Sequence, residues 1–157
     1  MYGIDISGSC VSLSLFCENK CFLGNLGDSR IIMSKKSGVE IEQLTTDHKP
    51  ETNIERARIE QNGGEIFRNI SKKYKMRLNK NTGLMDKVEQ IKYGPHRVNP
   101  GGLSLSRSIG DLPSKARELG GNPNCLVSCP EISEIDITDD CDFMVLACDG
   151  VWDELSN

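Results

Sequence analysis

The stretch FMVLACDG (residues 143–150) decides the fold of this chain, because a continuous apolar run leads directly into an aspartate and a glycine. The uncharged run 143–148 predicts a strand that is buried on both faces. Asp149 follows it, at the carboxyl end of that strand. A buried carboxylate is costly unless a cation or several donors compensate it. We therefore expect Asp149 either to bind a hard divalent metal such as Mg²⁺ or Mn²⁺ or to cap a helix that begins near Trp152.

Upstream of this run, the first third of the chain alternates short apolar stretches with turn residues. Their spacing indicates an antiparallel meander. A change of period after residue 50 predicts a helix over 52–62, with Ile54, Ala57 and Ile59 facing inward and Gly63 as its stop. Strands in groups, with helices between the groups, favour an α+β fold over a parallel βαβ fold. The four strands of the meander are predicted at 10–16, 20–26, 30–33 and 39–44.

Length and composition exclude several classes of protein. The chain has 157 residues, of which 37% are hydrophobic and 27% charged, so we expect one folded domain rather than a disordered or fibrous chain. No apolar run approaches the roughly 18 residues of a membrane span, and the start lacks the features of a signal peptide. The seven cysteines show no zinc-type spacing. We expect free thiols in a reducing compartment, the cytoplasm or alternatively the nucleus, and a monomer.

Charge is distributed unevenly along the chain. Residues 71–97 carry eight Lys and Arg against two carboxylates, a local balance of +6, whereas residues 130–157 carry nine carboxylates and no Lys or Arg. We interpret 71–97 as an insertion within a hairpin, which either attracts acidic phosphoproteins or is a solvated loop. Tyr74 is its one aromatic residue before Tyr93. Nucleic-acid binding is therefore disfavoured, because it would need more stacking partners.

Two further aspartates are candidates for a site. Asp28 follows the strand predicted at 20–26, and it is either a turn residue or a second carboxylate that converges with Asp149. Asp111, in the segment SIGD, is a third candidate, with helix capping as its alternative role. The histidines are not near a serine or cysteine in a nucleophile motif, and His48, which lies in TTDHKP before Pro50, is expected to make local hydrogen bonds. No standard nucleotide-binding loop occurs.

Seven segments, taken in order, resemble one family. The succession is similar to the metal-dependent serine/threonine protein phosphatases of type 2C, also called the PPM family, from about residue 7 to residue 157. On this resemblance, residues 1–157 are a partial phosphatase domain with a basic insertion at about 71–97. The segments are SGSC, GNLGDSR, LTTDHKP, Glu55 with Arg58-Ile59 and Gly63-Gly64, RVNPGGLSLSRSIGD, CPEI and LACDGVWDELSN.

The resemblance implies a fold and a chemistry. The fold would be a four-layer α-β-β-α sandwich, in which two antiparallel sheets are flanked by helices and a two-metal centre lies at one end. Mg²⁺ or Mn²⁺ would activate a water for attack on phosphoserine or phosphothreonine in a phosphoprotein. Asp149 matches a catalytic metal ligand, and Asp28 matches a carboxylate of an additional metal position. Asp111 and Arg107 match positions near the mobile flap or on the substrate side.

The chain also departs from the family pattern. The Asp-Gly-His-Gly segment that supplies the bridging carboxylate does not occur in these 157 residues, and neither does the late Gly-x-Asp-Asn aspartate. Three explanations compete: a trimmed phosphatase, a truncated gene product, or a non-catalytic pseudophosphatase that serves as a binding scaffold. Retention of Asp28 and Asp149 favours the phosphatase, because a scaffold has no need of carboxylates at strand ends. We expect these residues alone to be inactive.

Overall fold

The computed structural model describes residues 5–80 and 82–157. In chain order it contains β1 (Gly8–Ser9), β2 (Val11–Cys17), β3 (Lys20–Leu26), β4 (Arg30–Lys35), β5 (Glu40–Gln43), α1 (Asn53–Gln61), β6 (Glu65–Leu78), β7 (Met85–Asn99), β8 (Ile109–Gly110), α2 (Leu112–Lys115), β9 (Glu131–Asp136), β10 (Cys141–Ala147) and α3 (Asp149–Trp152). One turn of 3₁₀ helix at Arg117–Leu119 follows α2. None of the helices in this part of the chain is long and apolar enough to cross a bilayer.

Two three-stranded antiparallel sheets share one core. Their strand orders are β2-β3-β9 and β10-β4-β5. Cys21 and Leu23 of β3 pack with Ile31 of β4, and Ile135 of β9 and Met144 of β10 close the cluster. Because both sheets contribute side chains to the same cluster, the predicted α+β sandwich is confirmed. The short strands β1 and β8 pair beside it.

The predicted meander is wrong at its centre. The pairs β2–β3 and β4–β5 form as expected, but β3 and β4 lie in different sheets. Gly27, with a φ of +110°, carries the chain from one sheet to the other, and a Cβ there would lie 2.2 Å from the Cys10 sulfur. The alternation of side chains along a strand fixes the face that it buries but not its neighbour, so nothing local revealed that β9 and β10 flank β3 and β4.

The strand that contains most of the run 143–148 is not buried on both faces. Phe143 is 58% exposed and Leu146 is 42% exposed, whereas Met144 packs in the shared core. In the described part of the chain, β10 pairs only with β4 and forms the edge of its sheet. The apolar run therefore predicted the strand correctly, and its second face has no cover among these residues.

Helix α1 turns a polar side inward. Ile54 is 77% exposed and Ala57 is also exposed, so the prediction that they face inward is wrong, whereas Ile59 is buried as expected. Glu55 is buried in their place, because it has charged partners that are described below. The apolar neighbours of Ile59 come from the base of the hairpin and from a nearby loop: Ile66, Val98 and Cys125.

The basic segment is an ordered two-stranded ribbon. Strands β6 and β7 pair antiparallel from Glu65 and Asn99 at the base to Leu78 and Met85 near the tip, with one irregularity near Ile70. The hairpin prediction is thus confirmed. Nearly all ribbon side chains beyond the base are exposed.

Candidate functional site

The structure brings Asp28 and Asp149 into one cleft. This cleft has a volume of about 190 Å³ and lies where β3 and β10 end. The thiol of Cys10 donates to Asp28 Oδ1 at 3.4 Å. Burial, followed by the charges of Asp28 and Asp149, raises the pKa of Cys10 to about 11. The charges of Asp28 and Asp149 therefore both act on the Cys10 thiol. The residues that line the cleft are Asp28, Lys49, Glu51, Pro95, His96, Ser104, Asp149 and Asp153.

Asp28 directly follows Gly27, which forms two reciprocal hydrogen bonds with His48. The Gly27 N–H donates to His48 Nδ1 at 3.1 Å, and the His48 N–H donates to the Gly27 carbonyl at 2.9 Å. Since Nδ1 accepts, the proton of the neutral ring lies on Nε2, which is 3.3 Å from Glu131 Oε2. Asp28 is only 8% exposed. Its carboxylate is bonded to Cys10 across the turn, which distinguishes it from a turn aspartate that pairs with its sequence neighbours.

Asp149 opens helix α3 rather than capping it. Cys148 is at the N-cap position, and Asp149 is the first helical residue, with no side-chain cap hydrogen bond at this end of the helix. The predicted capping alternative is therefore not what the structure shows. The Asp149 side chain is exposed toward the cleft. The Trp152 indole, one turn later, donates from Nε1 to the Ala147 carbonyl at 2.8 Å, which holds the short helix against the end of β10.

Arg30 connects this helix to the loop after β5. Its Nε and Nη2 donate to the two carboxylate oxygens of Asp47 at 2.9 and 2.8 Å, which is the bidentate geometry that a guanidinium favours. The same guanidinium lies over the Trp152 ring, 5.5 Å from its centroid. Arg30, which lies two residues after Asp28 in the sequence, thus orients the helix that carries Asp149.

The carboxylates of the cleft are the type of ligand that a hard divalent cation prefers, but among the described residues too few of them converge to hold one. Carboxylate oxygens are the ligands that Mg²⁺ and Mn²⁺ prefer. Lys49 already lies 3.7 Å from Asp153 and 3.9 Å from Asp47, which offsets part of the negative charge. Within residues 5–80 and 82–157, no group of three or more His, Cys, Asp or Glu side chains converges in a way that could hold a metal ion. These residues alone do not form a complete metal centre.

A second polar cluster centres on the buried Glu55. Arg107 donates from Nη2 to Glu55 Oε1 at 2.6 Å and from Nε to both carboxylate oxygens at 3.1 and 3.2 Å. Arg58 Nη1 lies 2.6 Å from Oε2, and the Ser106 hydroxyl donates to the same oxygen. Burial would raise the pKa of Glu55, but hydrogen bonds from Arg107 and Ser106 and the charge of Arg58 outweigh it and lower the pKa to about 2.

Arg107 is therefore fixed in a buried ion pair. Its Nη1 also donates to the Cys129 carbonyl at 3.0 Å. Arg107 and Glu55 line a second cleft of about 480 Å³ together with His48 and Glu131. His48 thus lies between the two clefts, bonded to Gly27 on one side and facing Glu131 on the other. A substrate-side role for Arg107 would have to act through this second cleft.

Asp111 lies apart from both clefts. It has a left-handed φ of 52° at the N-cap position of α2, and its side chain makes no cap hydrogen bond. The carboxylate lies over Gly8, where a Cβ would come within 2.0 Å of Asp111 Oδ2. The Asp111 N–H donates to the Ser7 carbonyl at 2.8 Å. Asp111 thus packs at the junction of β1 and β8, and the expected side-chain cap is not formed.

Sequence reasoning missed the supporting residues of both clefts. Arg30, Asp47 and Glu55 were not singled out for chemistry, although Glu55 and Arg58 have the three-residue spacing of a helical ion pair. That spacing is the local signal that pointed to Glu55. Arg30 and Asp47 carry no such signal, because their ion pair joins the start of β4 to the loop after β5, 17 positions later in the sequence.

Known proteins resemble this chain along almost its whole length. The chain is 34% identical over 152 residues to a protein named Probable protein phosphatase 2C 21 from Arabidopsis thaliana, covering 96% of this chain and 34% of that protein. It is 33% identical over 152 residues to Protein phosphatase 1G of Rattus norvegicus, covering 96% of this chain and 23% of the relative. The chain thus spans about a third or less of the length of these relatives.

The fold of this chain is also similar to those of solved structures. A crystal structure of a serine-threonine phosphatase 2C from Toxoplasma gondii superposes with a TM-score of 0.67 at 25% identity, covering 95% of this chain and 43% of that one. A C. elegans sex determining protein superposes with a TM-score of 0.62 at 27% identity, covering 88% of this chain and 26% of that one. The family model described as Protein phosphatase 2C matches residues 3–157. This chain therefore belongs to the protein phosphatase 2C family.

Proposed function

We propose that this chain is the part of a metal-dependent phosphatase that contributes Asp28 and Asp149 to the hydrolysis of phosphoserine and phosphothreonine in proteins. One observation carries the proposal: two carboxylates from the ends of two strands in different sheets line the same cleft. Their convergence depends on the crossing at Gly27 and on the contacts of Arg30 that hold α3. Two such carboxylates are what a divalent cation would use.

The residues around the cleft have separable roles in this proposal. Asp28 is nearly buried and held from behind by the Gly27–His48 link, so it offers a carboxylate of fixed position. Asp149 is exposed and can reach an incoming ligand. When bound, Mg²⁺ or Mn²⁺ supplies a Lewis acid that lowers the pKa of a coordinated water and offsets phosphate charge. Further ligands would come from water molecules or from residues other than those that the structure describes.

A scaffold of the same fold is the second candidate function. It is favoured by the absence of a third metal-ligating side chain beside Asp28 and Asp149 in the described ranges. A pseudophosphatase would bind phosphoproteins or other partners without hydrolysis. The two functions differ in one measurable property, which is metal-dependent turnover by the chain when its neighbouring coding sequence is included.

The test compares the 157-residue chain with one that carries the adjoining coding sequence on both sides. Each is assayed on a phosphothreonine peptide in millimolar Mn²⁺ and again in excess chelator. We expect turnover by the extended chain in Mn²⁺ alone and none by the 157 residues. No turnover by the extended chain under either condition would support the scaffold. Comparable turnover by both chains would show that the 157 residues already hold a complete catalytic site, so the roles proposed for Asp28 and Asp149 would be wrong.

A further inference from the structure

The ribbon formed by β6 and β7 projects from the fold as an exposed basic hairpin. Its segment 71–93 carries seven Lys and Arg against two carboxylates, a balance of +5 in a chain whose net charge is −4. The nine residues Ile70–Leu78 of β6 extend about 30 Å. An isolated two-stranded hairpin is marginally stable in water. A binding partner that covers such a ribbon would therefore stabilise it.

The two faces of the ribbon differ in chemistry. The register pairs Ile70 with Tyr93, Lys72 with Ile91, Tyr74 with Glu89, Met76 with Lys87 and Leu78 with Met85, so these side chains share one face. That face is largely apolar, and its apolar members are each about half exposed or more. Four of the eight residues on the opposite face are cations, against one carboxylate. Its members are Ser71, Lys73, Lys75, Arg77, Asp86, Val88, Gln90 and Lys92.

The charges of the two faces are used differently. On the apolar face, Lys72 pairs with Glu89 at 2.7 Å, and Lys87 lies over the Tyr74 ring, 4.2 Å from its centroid. On the basic face, Lys73 and Lys75 form no ion pair with any residue in the ranges 5–80 and 82–157, although both lie on an exposed strand. The cations of the basic face thus remain available to an external acidic group.

The outer edge of β6 is also open. Strands β6 and β7 form a sheet of two strands, and neither has a second strand partner in the described part of the chain. An open edge presents backbone N–H and C=O groups that an extended peptide can pair with. Four of the seven Lys and Arg of segment 71–93 lie on β6, at Lys72, Lys73, Lys75 and Arg77. The edge of β6 is therefore the more strongly basic one.

We propose that the outer edge of β6 binds an extended acidic segment of a partner protein, in which carboxylate or phosphate side chains alternate with apolar ones. A strand added at this edge points its side chains alternately to the two faces. Its acidic side chains then lie beside Lys73, Lys75 and Arg77. Its apolar side chains lie beside Tyr74 and Met76. The ribbon matches this pattern of alternation as well as the sign of the charge.

The same geometry disfavours two other occupants. A flat anionic bilayer in contact with the apolar face would leave Lys73, Lys75 and Arg77 on the side away from the headgroups. A second copy of the ribbon would bring a charge of +5 against another +5, which is repulsive. A strand added in the plane of the ribbon is the arrangement that uses both faces together.

The ribbon also leads to the first cleft. Pro95 and His96, near the base of β7, line that cleft beside Asp28 and Asp149. A partner bound along β6 is thereby tethered to the ribbon whose base lines the cleft of the proposed catalytic carboxylates. This consequence, that bound partners become favoured substrates, rests on the proposed function. The binding itself does not.

The binding test uses fluorescence anisotropy with the 157-residue chain and no turnover step. The probe is a fluorescein-labelled peptide of alternating glutamate and valine, and the control peptide has the same composition with all glutamates ahead of all valines. We expect the alternating peptide to bind at least about tenfold more tightly. The triple variant Lys73→Glu, Lys75→Glu, Arg77→Glu should lose about tenfold in affinity. The matched control is Lys20→Glu, Lys36→Glu, Arg117→Glu, which reverses three exposed charges elsewhere.

A second variant tests the apolar half of the proposal at constant charge. Tyr74→Ser with Met76→Ser should also weaken binding several-fold, with circular dichroism confirming that the fold is retained. Equal binding of the two peptides, or no loss in the serine variant, would overturn the proposal in favour of plain charge attraction. Binding to phosphatidylserine vesicles without peptide binding would replace it with a membrane surface. Dimerisation lost in the glutamate variant would replace it with a second copy. Failed binding of the alternating peptide would overturn this proposal, whereas Mn²⁺-dependent turnover by the extended chain would show that the proposed function is intact.

Discussion

Gly27 and His48 hold each other by two reciprocal hydrogen bonds, from the Gly27 N–H to His48 Nδ1 and from the His48 N–H to the Gly27 carbonyl. The link fixes the turn that places Asp28 in the cleft. His48 in turn accepts through its carbonyl from the Ser106 N–H at 2.9 Å, and the Ser106 hydroxyl donates to Glu55. One buried histidine thus joins the turn that carries Asp28 to the cluster around Glu55.

Stability should fall on mild acidification because of His48. Burial, followed by the charge of Arg107, lowers the pKa of His48 below 6.5, although the carboxylates of Glu55 and Glu131 act in the opposite direction. In the unfolded chain the ring takes up a proton near pH 6.5, whereas in the folded chain it does so only at lower pH. Folded stability is therefore complete above pH 6.5 and declines as the pH falls below it.

The His48 effect can be measured by urea unfolding at several pH values between 5 and 8. His48→Asn, which retains an acceptor but cannot titrate, should remove this part of the pH dependence. His96→Asn, on the partly exposed base of the ribbon, is the matched control and should leave it unchanged. An unaltered pH slope in His48→Asn would contradict the assignment.

Glu55→Gln should cost about 3–5 kcal/mol of unfolding free energy, because it leaves Arg107 and Arg58 as uncompensated charges in a partly buried site. Denaturant unfolding at neutral pH measures the loss. Glu60→Gln is the control on the exposed side of the same helix, where its pair with Arg56 is exposed, and it should change stability by less than about 1 kcal/mol. Similar losses in both variants would show that the buried pair has no special role.

The Glu55 carboxylate should also give the protein a distinct acid limit. Its pKa is about 2 in the folded chain against an ordinary 4.5. A depressed carboxylate pKa contributes stability above the unfolded value, and this contribution is lost as the pH falls from about 4.5 toward 2. Acid unfolding followed by circular dichroism should be less steep in Glu55→Gln over this range. A curve parallel to that of the unmodified chain would contradict the prediction.

Arg30→Met should loosen helix α3 while leaving the sandwich folded. The chain has one tryptophan, so its fluorescence reports on Trp152 alone. Loss of the guanidinium that lies over the ring and bonds Asp47 should shift the emission to longer wavelength and increase quenching by acrylamide. Arg56→Met, which removes an arginine whose exposed ion pair is with Glu60, should change neither. An unshifted spectrum in Arg30→Met would show that the Trp152–Ala147 hydrogen bond holds the helix unaided.

Asp149→Asn should abolish Mn²⁺-dependent turnover in a chain extended by the adjoining coding sequence. The helix should survive, because Cys148 rather than Asp149 occupies the N-cap. Turnover of a phosphothreonine peptide and the thermal midpoint are measured together, with Asp153→Asn as the neighbouring control. Near-normal turnover at saturating Mn²⁺ would remove Asp149 from the proposed ligands.

Local pattern alone predicted most of the elements. The strand predicted at 20–26 coincides with β3, the helix predicted at 52–62 contains α1, and the basic segment forms the expected hairpin. Hydrophobic periodicity and turn residues act over a few positions, so they determine where an element begins and ends. The same local reasoning singled out Asp28 and Asp149 as carboxylates at strand ends, and the family resemblance matched both to metal positions.

Tertiary structure decided what the pattern could not express. The side-chain period of a strand is blind to which strand lies beside it, so the separation of β3 from β4 and the placement of β9 and β10 became visible only in the fold. The inward turn of Glu55 depended on Arg107, which lies 52 positions later in the sequence. Sequence by itself determined the elements and the candidate carboxylates of this protein. The partners that bury, orient and charge those residues are non-local, and only folding brings them within bonding distance.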